Sequence, residues 1–396
     1  MTRRAIELPE YVEDPFGALA QARQSGWLAE MGPTTAVLTH ADVRELIGDP
    51  RLHARFTEFL RAFGITSGPF YEWMAMSPLN RDGADHLRWR SVVSRAFTPR
   101  RVEQIRPFLR SAAHELIDAF AARGACEFVA EFADAYPSLG LCELIGVPFE
   151  DRDRFRGWAN TIGLGFSAVE LAERIGEVDA ALTQLLAYTG ELAAVRRADP
   201  RDDLVTRMAQ AGNEDGWTDE MINGAIAGLV FAGHETTKNQ LGSMVAALSE
   251  RPEIWDGVAS GAIPVAEVVE EALRFRSAAT AVGRMVAEPI ERHGERLEPG
   301  MPIMLSLWGA NRDDAAYPRA ETFDPAQHAD IPHLAFGHGP HHCLGAALAR
   351  AELQEALTAL SGRLGCPTVG TDAVWKPPVG INGPERLPIT FAVRPA

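Results

Sequence analysis

The chain has 396 residues and a formal charge of −16, so it can bury a sizeable core, and its acidity excludes nucleic acid as a general partner. It has no run of about 18 apolar residues to span a membrane, and residues 1–10 lack the apolar stretch of a signal peptide. Cys126, Cys142, Cys343 and Cys366 show neither disulfide nor zinc-ribbon spacing, which fits a reducing cytoplasm; two lysines beside 36 arginines suggest genomic base composition rather than function.

Asp14-Pro15 reads as a cap and first-turn proline for a helix over 16–24, which Gly26 ends. Residues 36–39 read as a strand, and 41–47 as a short helix closed by Gly48-Asp49-Pro50. The stretch 51–79 carries Phe56, Phe59, Phe63, Phe70, Tyr71, Trp73, Met74 and Met76 among glycines and prolines, and reads as an aromatic, irregular surface loop. A helix over 85–97 puts His86 and Arg90, four apart, on one face. Residues 81–110 hold eight arginines, Arg88, Arg95 and Arg101 among them, against three acids, a one-signed patch in an acidic chain. Amphipathic helices are expected over 99–122, 132–145 and 151–159, then a glycine-loosened link at 161–167 and a long helix over 168–197.

The longest helical run is 218–249, about 48 Å at 1.5 Å per residue. Gly224, Gly228, Gly233 and Gly242 lie inside it, each costing about 1 kcal/mol relative to Ala. Close helix packing accounts for Gly224 and Gly242. At its centre stands Ala232-Gly233-His234-Glu235-Thr236-Thr237. A helix over 265–276 carries Glu271 and Arg274 at a spacing that, in isolation, reads as a surface ion pair. Ala310-Asn311-Arg312-Asp313 and a Pro/Asp-rich meander over 317–332 lead into Phe336-Gly-His-Gly-Pro-His-His-Cys-Leu-Gly345. Its glycines and proline force a tight loop, and the apolar stripe after Cys343 marks a helix ending near Gly362. Cys343 is thereby placed at a helix N-terminus, where N–H donors and the dipole stabilise a thiolate suited to a haem iron. Residues 377–391 read as a terminal β-hairpin, and no linker or repeat divides 1–396, so a single domain is expected.

The spacing Phe336-x-x-Gly339-x-x-x-Cys343-x-Gly345 resembles the haem-binding signature of the cytochrome P-450 superfamily, and His341 with Ala347-Leu-Ala-Arg350 resembles its soluble bacterial members. Residues 232–237 match the family's oxygen-activation motif. The resemblance covers the chain from about residue 86 onward. It implies a mainly α fold with a long central helix over haem b and small β-sheets. Cys343 would then be the axial ligand, within a haem site of Phe336, Gly337, Gly345 and Ala232. His86, Arg90, Arg284 and His341 would lie beside the cofactor, its propionates suiting donors such as His86 and Arg90. Thr236 and Glu235 would relay protons to oxygen as it is reduced. Glu271 and Arg274 would be buried and support the haem loop, and Gly228, Ala232, Gly233, Thr236, Ala281 and Val282 would line the substrate pocket. The 51–79 segment would cover that pocket, and the link at 161–167 would belong to its lid. The match departs after Phe275, where Arg276-Ser277-Ala278 stands in place of the usual proline.

Two other chemistries compete. Gly233-His234-Glu235-Thr-Thr-Lys238 begins like a zinc-peptidase helix, but a protonated lysine occupies the second ligand position. His338, His341, His342 and Cys343 are too nearly adjacent for tetrahedral ligation. A haem protein without monooxygenase chemistry would be favoured by loss of the Glu-Thr pair, and both residues are present. The reading is a cytoplasmic monooxygenase that oxidises a small apolar molecule. Its electrons come ultimately from NAD(P)H, through a ferredoxin reductase and an acidic ferredoxin docking near Arg88 and Arg101.

Overall fold

The computed structural model describes residues 3–94, 98–167, 170–328 and 331–395. The central helix spans Asp219–Ser249, and Thr218 caps it by accepting the Met221 N–H at 3.2 Å, satisfying one of the first-turn donors. Its interior glycines permit close approach. A Cβ at 242 would stand 2.4 Å from Pro384 Cγ, and one at 224 would stand 3.5 Å from Trp73 Cδ1. Trp73 fixes that crossing by donating its indole N–H to the Gly224 carbonyl at 2.9 Å. Helices Ala135–Ile145, Arg152–Gly163 and Leu171–Ala198 pack against the central helix. The helix Ala346–Arg363 packs along Pro99–Phe120, joining Leu109, Phe120, Leu357 and Leu360 in one core. No helix among the described residues is long and apolar enough to cross a membrane.

A six-stranded sheet runs in the order Arg4–Ala5, Leu28–Met31, Thr34–Val37, Pro302–Ser306, Ala281–Val286, Leu52–His53. It is assembled from short strands of residues 4–53 and 281–306. The segment 51–79 is not irregular: it holds helices Phe56–Ala62 and Pro69–Met76. Phe56, Phe59 and Phe63 follow helical spacing, with ring centroids 5.3 and 4.8 Å apart. Gly64 (φ 78°) and Gly68 (φ 106°) lie between the two helices rather than inside them. The arginine-bearing helix spans Gly83–Ser94, and residues 95–97, with Arg95, lie outside the described residues, as do 168–169. The expected terminal hairpin is corrected. Val374–Trp375 pairs with Pro384–Arg386, while Pro388–Thr390 joins Thr368–Val369 and Ala125–Glu127 in another sheet. Pro377 and Pro378 have no N–H to donate to a ladder, which leaves 377–383 as a loop.

Candidate active site

A cavity of about 420 Å³ lies between the central helix and the cysteine loop. Gly228, Ala232, Gly233 and Thr236 form one wall; Phe336, Gly337, Cys343 and Gly345 form the opposite one. The remaining surface is mostly apolar, with Trp73, Leu141, Phe166, Phe231 and Val282. Where a glycine-loosened link was expected at 161–167, the helix Arg152–Gly163 runs on into a 3₁₀ turn, Leu164–Phe166, whose Phe166 stacks on Phe231 at 4.1 Å and 8°. Phe166 also meets Phe70 edge-on at 5.7 Å. A Cβ at Gly165 would stand 2.4 Å from Phe70 Cζ, so only glycine lets this link close over the cavity. Gly233 has a packing duty as well, since a Cβ there would lie 3.0 Å from Leu141 Cδ1.

The cysteine loop owes its shape to backbone. Gly337 (φ 67°) and Gly339 (φ 71°) occupy the left-handed region, and a Cβ at 339 would be 3.1 Å from Gly48 Cα. The Cys343 N–H donates to the Phe336 carbonyl at 2.9 Å, closing the loop. The following helix begins at Ala346, so Cys343 stands just ahead of it rather than on its first turn. Burial pushes the Cys343 thiol up, against the opposing N–H groups of Gly345 and Ala346 and the charges of Arg90 and Arg350. The loop is braced from behind. Arg350 grips Glu270 through two bonds of 2.6 and 2.8 Å and lies over the Phe336 ring at 4.7 Å. Burial alone would raise the Glu270 carboxyl, but Arg350 and His333 hold it down to about 2.

Glu271 and Arg274 have fully buried side chains, joined by bonds of 2.8 and 2.9 Å. Arg274 also donates to the carbonyls of Asn311, Ala320 and Thr322, at 2.9, 2.8 and 2.9 Å, so one guanidinium ties the meander to its helix. Removing one partner of such a buried pair costs about 3–5 kcal/mol. Asn311 carries the tie onward by accepting the Leu334 N–H at 2.7 Å, just before the loop.

At one end of the cavity stand His86, Arg90, Arg284 and His341. The rings of His86 and His341 stack at 3.9 Å, and the buried His86 Nδ1 has no partner. Burial, then the nearby charges of His341 and Arg90, lowers His86 to about 4. Burial likewise lowers Arg284, with only Asp82 opposing. Asp82 accepts from His341 at 3.3 Å and Arg55 at 3.0 Å. Asp82 is thus the acid that acts on His341, His86 and Arg284. That donor set, with an unpartnered ring nitrogen aimed among them, fits a cofactor carrying two carboxylates.

The family model for cytochrome P450 matches residues 264–361, which include Glu271, Arg274 and the whole cysteine loop. The chain is 32% identical to luteothin monooxygenase of Streptomyces thioluteus over 94% of this chain and 92% of that one. It is 36% identical to mycinamicin IV hydroxylase/epoxidase of Micromonospora griseorubida over 96% and 91%. The chain is a cytochrome P450. Among solved structures, CalO2 superposes at a TM-score of 0.90 with 27% identity, covering 97% of each chain. P450BioI in complex with an acyl carrier protein bearing hexadec-9Z-enoic acid superposes at 0.89 with 28% identity, covering 96% of this chain and 100% of that one. The family implies haem with a cysteine thiolate ligand, and its members are monooxygenases.

Within this P450 the sequence-derived site residues divide. Val282 and Arg284 line the cavity, but Ala281 does not, because side chains alternate along its strand and Ala281 is one residue out of phase. Thr236 lines the cavity and donates to the Ala232 carbonyl at 2.7 Å, whereas Glu235 lies outside its lining. Ala278, in place of the usual proline, keeps an N–H that donates to Gln240 Oε1 at 2.9 Å. The Arg101 side chain is 11% exposed and bonded to the exposed Asp202 at 2.5 Å. Arg106 and Arg110 both pair with Glu355, so acids from distant parts of the chain offset much of the arginine patch.

Glu352 escaped the sequence reading. It is 1% exposed, lines the cavity from the Ala346–Arg363 helix, and neither carboxyl oxygen has a well-formed hydrogen bond. The available signal was an acid within the apolar stripe of that helix. Burial pushes its carboxyl well above 4.5, with Thr237 opposing. A raised folded-state value means that the unfolded chain alone loses the proton as pH rises past about 4.5, so this group's contribution to stability falls with pH. Glu352→Gln removes that dependence. Its melting temperature relative to the parent is expected to be more favourable near pH 8 than near pH 5. Thermal unfolding at both pH values checks this, and an equal shift at both would contradict a neutral Glu352.

Proposed function

We propose that this P450, acting in the cytoplasm, inserts one atom of O₂ into a small apolar molecule. Its electrons would come from NAD(P)H through a ferredoxin reductase and a ferredoxin. The observation that carries the reading is the apolar, aromatic-walled cavity set directly against Cys343. Bound haem supplies the redox chemistry, in which R–H, O₂, two electrons and two protons give R–OH and water. Cys343 would hold the iron, with the N–H groups of Gly345 and Ala346 favouring its thiolate. Arg90, Arg284, His86 and His341 would hold the propionates, where paired charge offsets the burial of these bases. Trp73, Phe166 and Phe231 would exclude water and orient substrate by shape. Thr236 would hold its hydroxyl on the cavity side to direct a proton, with Glu235 behind it. The relatives are named for substrates as unlike as luteothin, mycinamicin IV, nocardicin C and vitamin D(3), so the substrate class is set by the cavity and not by them.

Holoenzyme, reductase, ferredoxin and ¹⁸O₂ test the reading with compounds chosen by their binding-induced Soret shifts. One labelled atom per product is expected; turnover only with peroxide would reject it. Docking of an acidic ferredoxin would fall on the outer face of Gly83–Ser94, where Arg88 is exposed. Arg88→Glu is expected to slow reduction several-fold, and added salt to slow it further, since such steering is screened within a Debye length of about 8 Å. Arg101→Glu is expected to slow reduction as well. Stopped-flow reduction rates indifferent to salt and to Arg88→Glu would remove the docking site.

A further inference from the structure

The chain contains two lysines, Lys238 and Lys376, and both close on the same carboxylate. Lys238, on the central helix itself, places Nζ 2.5 Å from Glu235 Oε2. Lys376 ion-pairs with Oε1, and Asn239 Nδ2 donates to that oxygen at 2.9 Å. Glu235 is 4% exposed. Burial alone would raise its carboxyl, but the two ammonium groups hold it far below the ordinary range.

Lys376 arrives there on a tightly seated piece of chain. A Cβ at Gly383 would stand 2.5 Å from Asn239 Cβ, and one at Gly242 would stand 2.4 Å from Pro384 Cγ. Asn382 ties the piece together, its side chain donating to the Lys376 carbonyl at 2.7 Å and its backbone N–H to the Ala278 carbonyl at 2.8 Å. The guanidinium of Arg276 lies 3.8 Å from the Trp375 ring centroid. On the other side, Lys238 donates to Asn160 Oδ1 at 2.7 Å and stands 3.7 Å from Asp134. Asp134 in turn faces His234 at 3.2 Å and Arg156 at 3.4 Å. The charged and titratable groups around Glu235 are therefore Lys238 and Lys376 directly, then Asp134, His234 and Arg156 beyond Lys238.

We propose that Lys376 and Lys238 are positioning residues that clamp Glu235 as a carboxylate away from the cavity, so that the seating of residues 374–386 on the central helix governs when Glu235 can take up a proton. The proposal rests on the reading of Thr236 and Glu235 as proton-handling groups. Two ammonium groups on one buried acid favour the anion over a broad pH range. Protonation of Glu235 then requires one lysine to withdraw, and Lys376 is the one whose carrier, a loop between two short strands, can do so without breaking the central helix.

The test uses holoenzyme carrying Lys376→Met, Lys376→Arg, Glu235→Gln and the Lys376→Met/Glu235→Gln pair. Thermal unfolding should show the two sites coupled, with the double variant losing at least tenfold less in unfolding equilibrium than the sum of the singles predicts. The kcat profile of Lys376→Met should gain an acid-side inflection, about threefold or more between pH 6 and pH 8, where the parent is level, and Lys376→Arg should restore the level profile. Additive stabilities would overturn the clamp. Coupled stabilities with an unchanged pH profile would leave a structural bridge and overturn the positioning role. Glu235→Gln with full turnover would bring down the proton-handling reading itself, while the stability coupling still reports the ion pair. If Lys376→Met does not fold, Lys376→Gln removes the same charge while keeping a polar side chain, and it is read in the same cycle and pH profile.

Discussion

Cys343→Ala is expected to abolish the far-red-shifted Soret band of the reduced carbon monoxide complex, while far-ultraviolet circular dichroism stays that of the parent. Such a band requires a thiolate ligand, and Cys343 is the cysteine that lines the cavity. Cys126 and Cys142 are buried elsewhere, and burial raises each thiol to about 12, which disfavours the thiolate form. Binding of a metal deprotonates a coordinating thiol outright, which overcomes the upward push that burial gives Cys343. The loop should survive the substitution, because its closure depends on the Cys343 backbone N–H and on Gly337 and Gly339, none of which changes. A retained band in Cys343→Ala would assign the ligand wrongly.

Thr236→Ala should keep haem content and substrate-induced spectral shifts yet divert electrons from product to hydrogen peroxide. Its hydroxyl is on the cavity wall, but in the helix it is committed to the Ala232 carbonyl at 2.7 Å. A hydroxyl bonded back to the preceding turn can rotate to a neighbouring acceptor at the cost of one modest hydrogen bond. Losing 1.4 kcal/mol of preference between productive and unproductive proton placement changes the partition about tenfold. The ratio of product to hydrogen peroxide is therefore expected to fall about tenfold, with NAD(P)H consumption continuing. Unchanged coupling would mean that the Thr236 hydroxyl serves only the helix.

The features legible in the sequence were those written within one short stretch. Glycines around Cys343 dictate a loop whatever lies nearby, and the apolar stripe of the 346–363 helix repeats every few residues. The central helix was equally legible, expected over 218–249 and found over Asp219–Ser249. What depended on distant chain was not. Asp202 and Glu355, which cover Arg101, Arg106 and Arg110, lie about 100 or more residues away from those arginines in sequence. The phase of the Ala281–Val286 strand, and hence the exclusion of Ala281, is set by its pairing with Pro302–Ser306. In the 56–76 segment the helical spacing of the phenylalanines was present, but glycines that separate two helices read as glycines that prevent them. The Glu235–Lys238 pair lies within one turn of the central helix, but the second pair depends on distant chain: Lys376 comes from a loop far along the sequence whose seat is built by glycine contacts.

Phe166 sits where three stretches of chain converge. Phe70 comes from the Pro69–Met76 helix and Phe231 from the central helix, and a Cβ at Gly380 would lie 2.8 Å from the Phe166 carbonyl oxygen. Rotating one ring does not open such a junction, since stack, edge contact and backbone contact must be relinquished together. Passage of a molecule on this side would therefore be a concerted step with its own activation barrier, separate from the strength of binding within the cavity.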